Sequence, residues 1–297
     1  MNDTLTRREL GRRLSRLADA SVAEVLALAP AAPSTVPRIG LTGAPGVGKS
    51  SLAGRLGLLR AQARRVGMLA VDPSSPVSGG AILGDRIRLD ELAGAENLYL
   101  RSIASRSSSD GLAENLPELL ETLAAAGFDE LVLETVGVGQ AEHAVRSQVD
   151  TLALVLMPGS GDTVQAMKAG MMELADLYVI NKCELPGAQQ LAAEIQRVQA
   201  LVGSHGGWAA PVVLTSIHDA DTITDLSAAI DAHQAWLVDS GNREAVLEQR
   251  ARYRLRLLLE RRLGEVLGTV SPQALDGSLA EQFASVAAAL PLDDGTP

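Results

Sequence analysis

The chain has 297 residues, 46% of them hydrophobic and 2% aromatic, and its 26 Lys and Arg against 36 Asp and Glu give a formal charge of −10. That length suits one main domain with a full α/β core, and the acidic balance argues against non-specific nucleic-acid binding or an anionic membrane surface as partner. The single cysteine, Cys183, excludes an internal disulfide and a multi-cysteine metal cluster within one chain; it suits a reducing cytoplasm and speaks against redox chemistry.

In chain order, the opening MNDTLTRRELGRRLSRLADA has no apolar stretch of the secretory kind. Its arginines are offset by Asp3, Glu9 and Asp19, and it reads as an amphipathic helix. PAAPSTVP at 30 to 37 reads as a linker. Short apolar runs then recur at RIGLTG, GMLAVD, NLYLRSI, ELVLETV, TLALVLM, LYVINK and PVVLTS, with Ala- and Leu-rich helical spacing between them. Such alternation predicts βα units: a three-layer α/β fold with a mainly parallel sheet, helices on both faces and the chemistry at the carboxyl ends of the strands. From Arg243, REAVLEQRARYRLRLLLERRLGEVL predicts a long charged helix on which Leu247, Ala251, Leu255, Leu258 and Leu259 mark one apolar stripe that needs a cover. The last stretch, PLDDGTP, reads as a frayed tail, and no apolar run approaches the roughly 18 residues of a membrane span.

GAPGVGKS at 43 to 50 matches G-x-x-x-x-G-K-[ST] at every fixed position, after an apolar strand and before a helix. Loop amides from Gly43, Gly46, Val47, Gly48 and Ser51 with the helix N-terminus would surround phosphate oxygens. Lys49 would bridge the β- and γ-phosphates, and the Ser50 hydroxyl would ligate Mg²⁺. A magnesium held by phosphates needs carboxylates nearby, which makes Asp72, ending GMLAVD, and Glu134, ending ELVLE, candidates. Glu134 opens E-T-V-G where many GTPases carry D-x-x-G, so the Gly137 amide could meet the γ-phosphate.

YVINKCELPG resembles the guanine-reading N-K-x-D element, with Glu184 in place of Asp. The longer side chain keeps both acceptor oxygens but moves the carboxylate out by about 1.5 Å. Adenine presents no donor there, so ATP would leave a desolvated carboxylate unpaired. Asn181 and Lys182 would brace the loop and pack along the base, and Ser216 with the amide of Ile217 would close over it.

GLTGAPGVGKSSL, VDPSSPVSGGAILGDRIRL, ETVGVGQAE, MPGSGD and ELADLYVINK, in this order and spacing, resemble the MeaB/ArgK/MMAA family of P-loop GTPases, the G-protein chaperones of cobalamin-dependent acyl-CoA mutases. The resemblance runs from about residue 38 to 182, and more loosely to the C-terminal helix. It implies a cytoplasmic GTPase, slow by itself, that docks on a B12-dependent mutase of the methylmalonyl-CoA type, gates cofactor loading and protects or reactivates it. It further implies Asp72, Asp85 and Glu134 around Mg²⁺, and Asp162 and Lys168 in an additional switch loop. Gln140 could orient the attacking water, as a glutamine does in other GTPases, or cap the following helix. The implied organisation is a helical extension and linker over 1–36, a GTPase domain over 37–240 and a helical homodimerisation arm with tail over 241–297. The chain departs from the family pattern in SRSSSDGL at 105 to 112, in TSIHDADTITDL and in Glu184, which puts partner choice and base affinity in question.

Three rival readings stand beside this one. A P-loop metallochaperone would deliver metal through Cys and His, but His143, His205, His218 and His233 are scattered singly and each reads as a surface residue. An ATP-dependent kinase of arginine or ornithine transport, the older ArgK label, is opposed by the carboxylate of NKCE. A nucleotide-gated docking module that barely hydrolyses GTP differs mainly in emphasis.

Overall fold

Seven short strands, each an apolar run anticipated above, pair into one sheet in which every pairing is parallel: β1 (Arg38–Thr42), β2 (Val66–Pro73), β3 (Leu98–Ser105), β4 (Glu130–Glu134), β5 (Thr151–Leu156), β6 (Leu177–Asn181) and β7 (Val212–Thr215). The order across the sheet is β3-β2-β4-β1-β5-β6-β7. This computed structural model describes residues 5–28, 30, 32–73, 95–105, 113–135, 141–159, 171–202 and 207–292.

Alternation along the strands divides the core into layers. Ile39 and Leu41 of β1, Val132 of β4, Val155 of β5 and Val179 of β6 face α3 (Lys49–Arg60) and α7 (Ala220–Asp239). Leu131, Leu133 and Leu152 face the other way, against α1 (Arg7–Ala18), α2 (Val22–Leu28), α4 (Leu116–Ala125) and α5 (Ala141–Arg146). Tyr178 and Ile180 on that same face meet α6 (Ala188–Val202). Helix α1 starts on a capping box between Thr6 and Glu9 and inserts Leu10, Leu14 and Leu17 fully into this core.

The long helix α8 (Asn242–Thr269) corrects one expectation. Leu258 is buried, but Leu255 and Leu259 are 60% and 66% exposed and continue outward as Leu263 and Leu267. What holds α8 to the domain is mainly its arginines. Arg250 pairs with Asp150 at 3.0 Å, Arg254 with Glu118 at 3.1 Å, and Arg261 reaches Asn115 and the carbonyl of Ala20. Tyr253, Leu257 and Leu258 pack between them. The helix therefore buries cations whose partners lie far away in sequence, and turns leucines outward. Helix α9 (Leu279–Ala288) adds Leu279 and Phe283, both more than 70% exposed. Among the described residues no helix is long and apolar enough to cross a membrane.

Buried ion pairs also join the layers lower down. Arg38 pairs with Glu121 at 2.6 Å, and burial, then repulsion from Arg250, pulls its guanidinium down to about 10 against the attraction of Glu121 and Asp150. Arg60 of α3 pairs with Glu130 of β4 and Asp231 of α7.

Candidate functional site

The loop between β1 and α3 sits at the carboxyl edge of the sheet, between the two central strands β4 and β5. Its backbone requires glycine. Gly43 has φ +143 and a Cβ there would lie 2.1 Å from the carbonyl oxygen of Val155, while Gly48, φ +93, would bring a Cβ to 2.6 Å from Asn181 Nδ2. Helix α3 begins at Lys49 with no side-chain cap on its first amides and no acidic residue in its first turn. Its N-terminal N–H donors and the positive end of its dipole thus have no carboxylate competing in that turn, the arrangement that favours an anion.

Lys49, almost fully buried, extends its ammonium back over the loop and donates to the carbonyls of Gly43 and Ala44 at 2.7 and 2.9 Å. Ser50 donates its hydroxyl proton to Glu134 Oε1 at 2.5 Å. Glu134 is aligned with Leu41 of β1 on one side and Ala70 of β2 on the other, so β4 delivers its carboxylate to the mouth of the loop. Asp72 lies two residues beyond Ala70 on β2, at the same edge of the sheet. The oxygens of Ser50 and Glu134 in direct contact fit a hard cation such as Mg²⁺. Among the described residues no group of three or more His, Cys, Asp or Glu could hold a metal by itself. Magnesium that keeps waters and phosphate oxygens in its shell needs only such an open set.

The second half of the site is the loop after β6, and it interlocks with the first. Asn181, buried, donates from Nδ2 to the carbonyl of Val47 at 2.8 Å and accepts from Thr215 Oγ1 at 3.2 Å. Lys182, the one non-glycine residue with positive φ among the described residues (φ 56), donates from Nζ to the carbonyl of Gly46 at 3.0 Å. Positive φ in a non-glycine residue costs energy and persists only where the surroundings impose it, as the contact with the P-loop does here. The Cys183 amide bonds to Thr215 O at 3.0 Å, which carries the loop across to β7.

Glu184 is exposed, and its carboxyl is held below the usual range first by its own backbone amide, then by the Ser216 hydroxyl, with smaller help from His218 and Lys182 and against a slight burial penalty. It stays ionised at neutral pH. Burial, then the charges of Glu184 and Asp219, push the Cys183 thiol up, so it remains a protonated neighbour without nucleophilic character. Thr222 shapes the Ser216–Ile217 turn by accepting from the Ser216 amide and donating to the carbonyl of Asp219 at 2.7 Å.

The structure thus brings together Gly43, Gly46, Val47, Gly48, Lys49, Ser50, Ser51, Glu134, Asn181, Lys182, Glu184, Ser216 and Ile217, with Asp72 at the adjoining strand end. Asp85, Gly137, Gln140, Asp162 and Lys168, together with positions 106 to 112 of SRSSSDGL, lie outside the described residues. Thr215, His218 and Thr222 belong to the site's frame and were not anticipated, since a single Thr or His in a polar loop carries no signal by itself. The expectation that each histidine is a surface residue fails for His233, which sits fully buried on the inner side of α7.

A family model described as Methylmalonyl Co-A mutase-associated GTPase MeaB matches residues 13–270. The chain belongs to the MeaB family. It is 37% identical to a Pyrococcus abyssi relative across 82% of this chain and 75% of that protein, and 36% identical to the GTPase ArgK of Escherichia coli across 72% and 66%. The crystal structure of a LAO/AO transport system kinase superposes over 96% of this chain and 98% of its own with a TM-score of 0.62; at 24% identity that likeness concerns the fold. This MeaB-family chain is accordingly a P-loop GTPase, and the interlocked loops at its carboxyl edge are where such a fold binds and hydrolyses nucleotide.

Proposed function

We propose that the protein is a GTP-hydrolysing chaperone that docks on a cobalamin-dependent acyl-CoA mutase of the methylmalonyl-CoA type, gates cofactor loading and protects or reactivates that enzyme. The observation that carries the reading is the interlock of Asn181 and Lys182 with the carbonyls of Val47 and Gly46, which ties occupancy of a guanine pocket to the geometry of the phosphate loop. The mutase association for which the matching family is named supports the partner.

In this reading the amides of the P-loop hold the phosphates, and Lys49 turns its ammonium from the loop carbonyls to the β- and γ-oxygens. Ser50, with Asp72, Asp85 and Glu134, would hold Mg²⁺, which would supply charge neutralisation on the γ-phosphoryl group. Water attacks in line with the bond to the leaving GDP, with Gln140 to position it and the Gly137 amide on the γ-phosphate. Asp162 and Lys168 report nucleotide state to the mutase. Glu184 accepts from guanine N1 and N2 while Ile217 donates to O6. Intrinsic turnover is slow because the mutase completes the site. The protein acts in the cytoplasm, with the GTPase domain over 37–240 flanked by the helical segments 1–36 and 241–297. A homodimer forms through the outward leucines of α8, since an exposed apolar stripe of that length is a docking surface.

The test is sedimentation of the protein with purified methylmalonyl-CoA mutase in the presence of a non-hydrolysable GTP analogue or of GDP. A complex whose stability differs between the two nucleotides supports the chaperone reading. Independent sedimentation of the two proteins in both conditions would overturn it.

A further inference from the structure

Tyr178 near the start of β6 and Ala209 and Ala210 just before β7 line a cavity of about 680 Å³ on the edge of the sheet opposite the P-loop. That volume is in the range of small-molecule sites, roughly 300–1,000 Å³. In a chain with 2% aromatic residues, both of its tryptophans line this one cavity. Trp208 and Trp236 lie with centroids 5.5 Å apart at 42°, and His233 stacks on Trp236 at 5.6 Å and meets Trp208 edge-on at 4.9 Å. The Trp208 N–H donates to the carbonyl of Asp176 at 2.8 Å, so its polar edge is satisfied, and both indoles remain only half-buried.

His233 has no exposed surface, and its Nδ1 lies 2.9 Å from Thr151 Oγ1. Its Nε2 lies 3.3 Å from Asp176 Oδ1, so the ring is held between Thr151 and Asp176. The other oxygen of Asp176, Oδ2, accepts from Arg146 at 2.5 Å and from the Leu152 amide at 2.7 Å. The rim therefore has Arg146 neutralised and the exposed Glu173 carboxylate beside it. That balance disfavours phosphates and carboxylates and tolerates a cation over the indole faces.

We propose that this cavity is a second small-molecule site, separate from the nucleotide site, for a planar aromatic or heteroaromatic ligand without net negative charge. The ring lies against Trp236 and Trp208.

Indole, tryptamine and indole-3-acetate share one ring with three charges, so titrating each into the full chain with GDP present, by calorimetry and saturation-transfer NMR, tests ring and charge separately. Indole and tryptamine should bind saturably at one site, and indole-3-acetate at least about tenfold more weakly. Trp236→Ala should abolish binding of both while GDP binding, which checks the fold, persists. Ala245→Trp, which fills the cavity from the exposed surface of α8, should do the same without removing a packing group. Glu173→Gln should narrow the preference for tryptamine over indole-3-acetate. Absence of saturable binding by all three compounds, equal binding of the anion, or undiminished binding in Ala245→Trp would overturn the proposal.

Discussion

The carboxyl edge of the sheet is held by local backbone devices, whereas the amino edge and the arm above it are held by ion pairs between residues distant in sequence. At the carboxyl edge Lys49 bonds carbonyls five and six residues before it, and even the cross-loop contacts of Asn181 and Lys182 end on main-chain oxygens. At the other edge Asp150 joins the backbone of Arg38 to the side chain of Arg250, and Glu130 joins Arg60 to the sheet. The difference teaches where each function is encoded: nucleotide handling is written in short motifs that glycine and a few donors satisfy, and the seating of the arm is written in scattered charges that only the fold assembles.

The sharpest way to break this contrast is Asp150→Ala. It strands Arg250 and the Arg38 amide in the interior, so unfolding free energy should fall by about 3–5 kcal/mol in urea, while GDP affinity of the folded fraction stays near its original value. A parallel loss of GDP affinity would show that the two edges are not independent. Lys49→Ala should do the converse. Nucleotide affinity should drop by about a hundredfold, roughly 2.7 kcal/mol, with stability changed by less. GTP hydrolysis that survived this change would remove Lys49 from the phosphate site.

Glu184→Ala should cost about tenfold in the preference for GDP over ADP, roughly 1.4 kcal/mol, measured as a ratio of dissociation constants. Because the folded state holds the Glu184 carboxyl below its ordinary range, the preference should persist as pH falls to the ordinary carboxylate pKa and fade only beneath it. Leu259→Glu is the smallest perturbation of the fold, within about 0.5 kcal/mol for a side chain 66% exposed, yet it should convert a dimer to a monomer in sedimentation. An unchanged dimer would move the interface away from α8.

The strands, the P-loop and the base loop were legible in the sequence because each depends on residues within one short segment: apolar runs, glycines, and the order N-K-x-acid. The arm was only half legible. Periodicity located α8, but apolar spacing alone cannot say which face is covered, and Arg250, Arg254 and Arg261 turned out to be its inward contacts. His233 was misread for the same reason, since nothing near it in sequence announces that Thr151, Asp176, Trp208 and Trp236 will surround it. Glu184 was legible as the acid of N-K-x-acid, but its hydroxyl partner, Ser216, lies on the loop after the neighbouring strand.

The most direct test of the account is a calorimetric titration with GDP and ADP, each with Mg²⁺, on the protein and on Glu184→Asp. The account predicts that GDP binds, ADP does not, and the Asp variant binds GDP more tightly by shortening the reach. ADP binding as tightly as GDP, or no binding of either, would contradict a guanine pocket built from Asn181, Lys182 and Glu184.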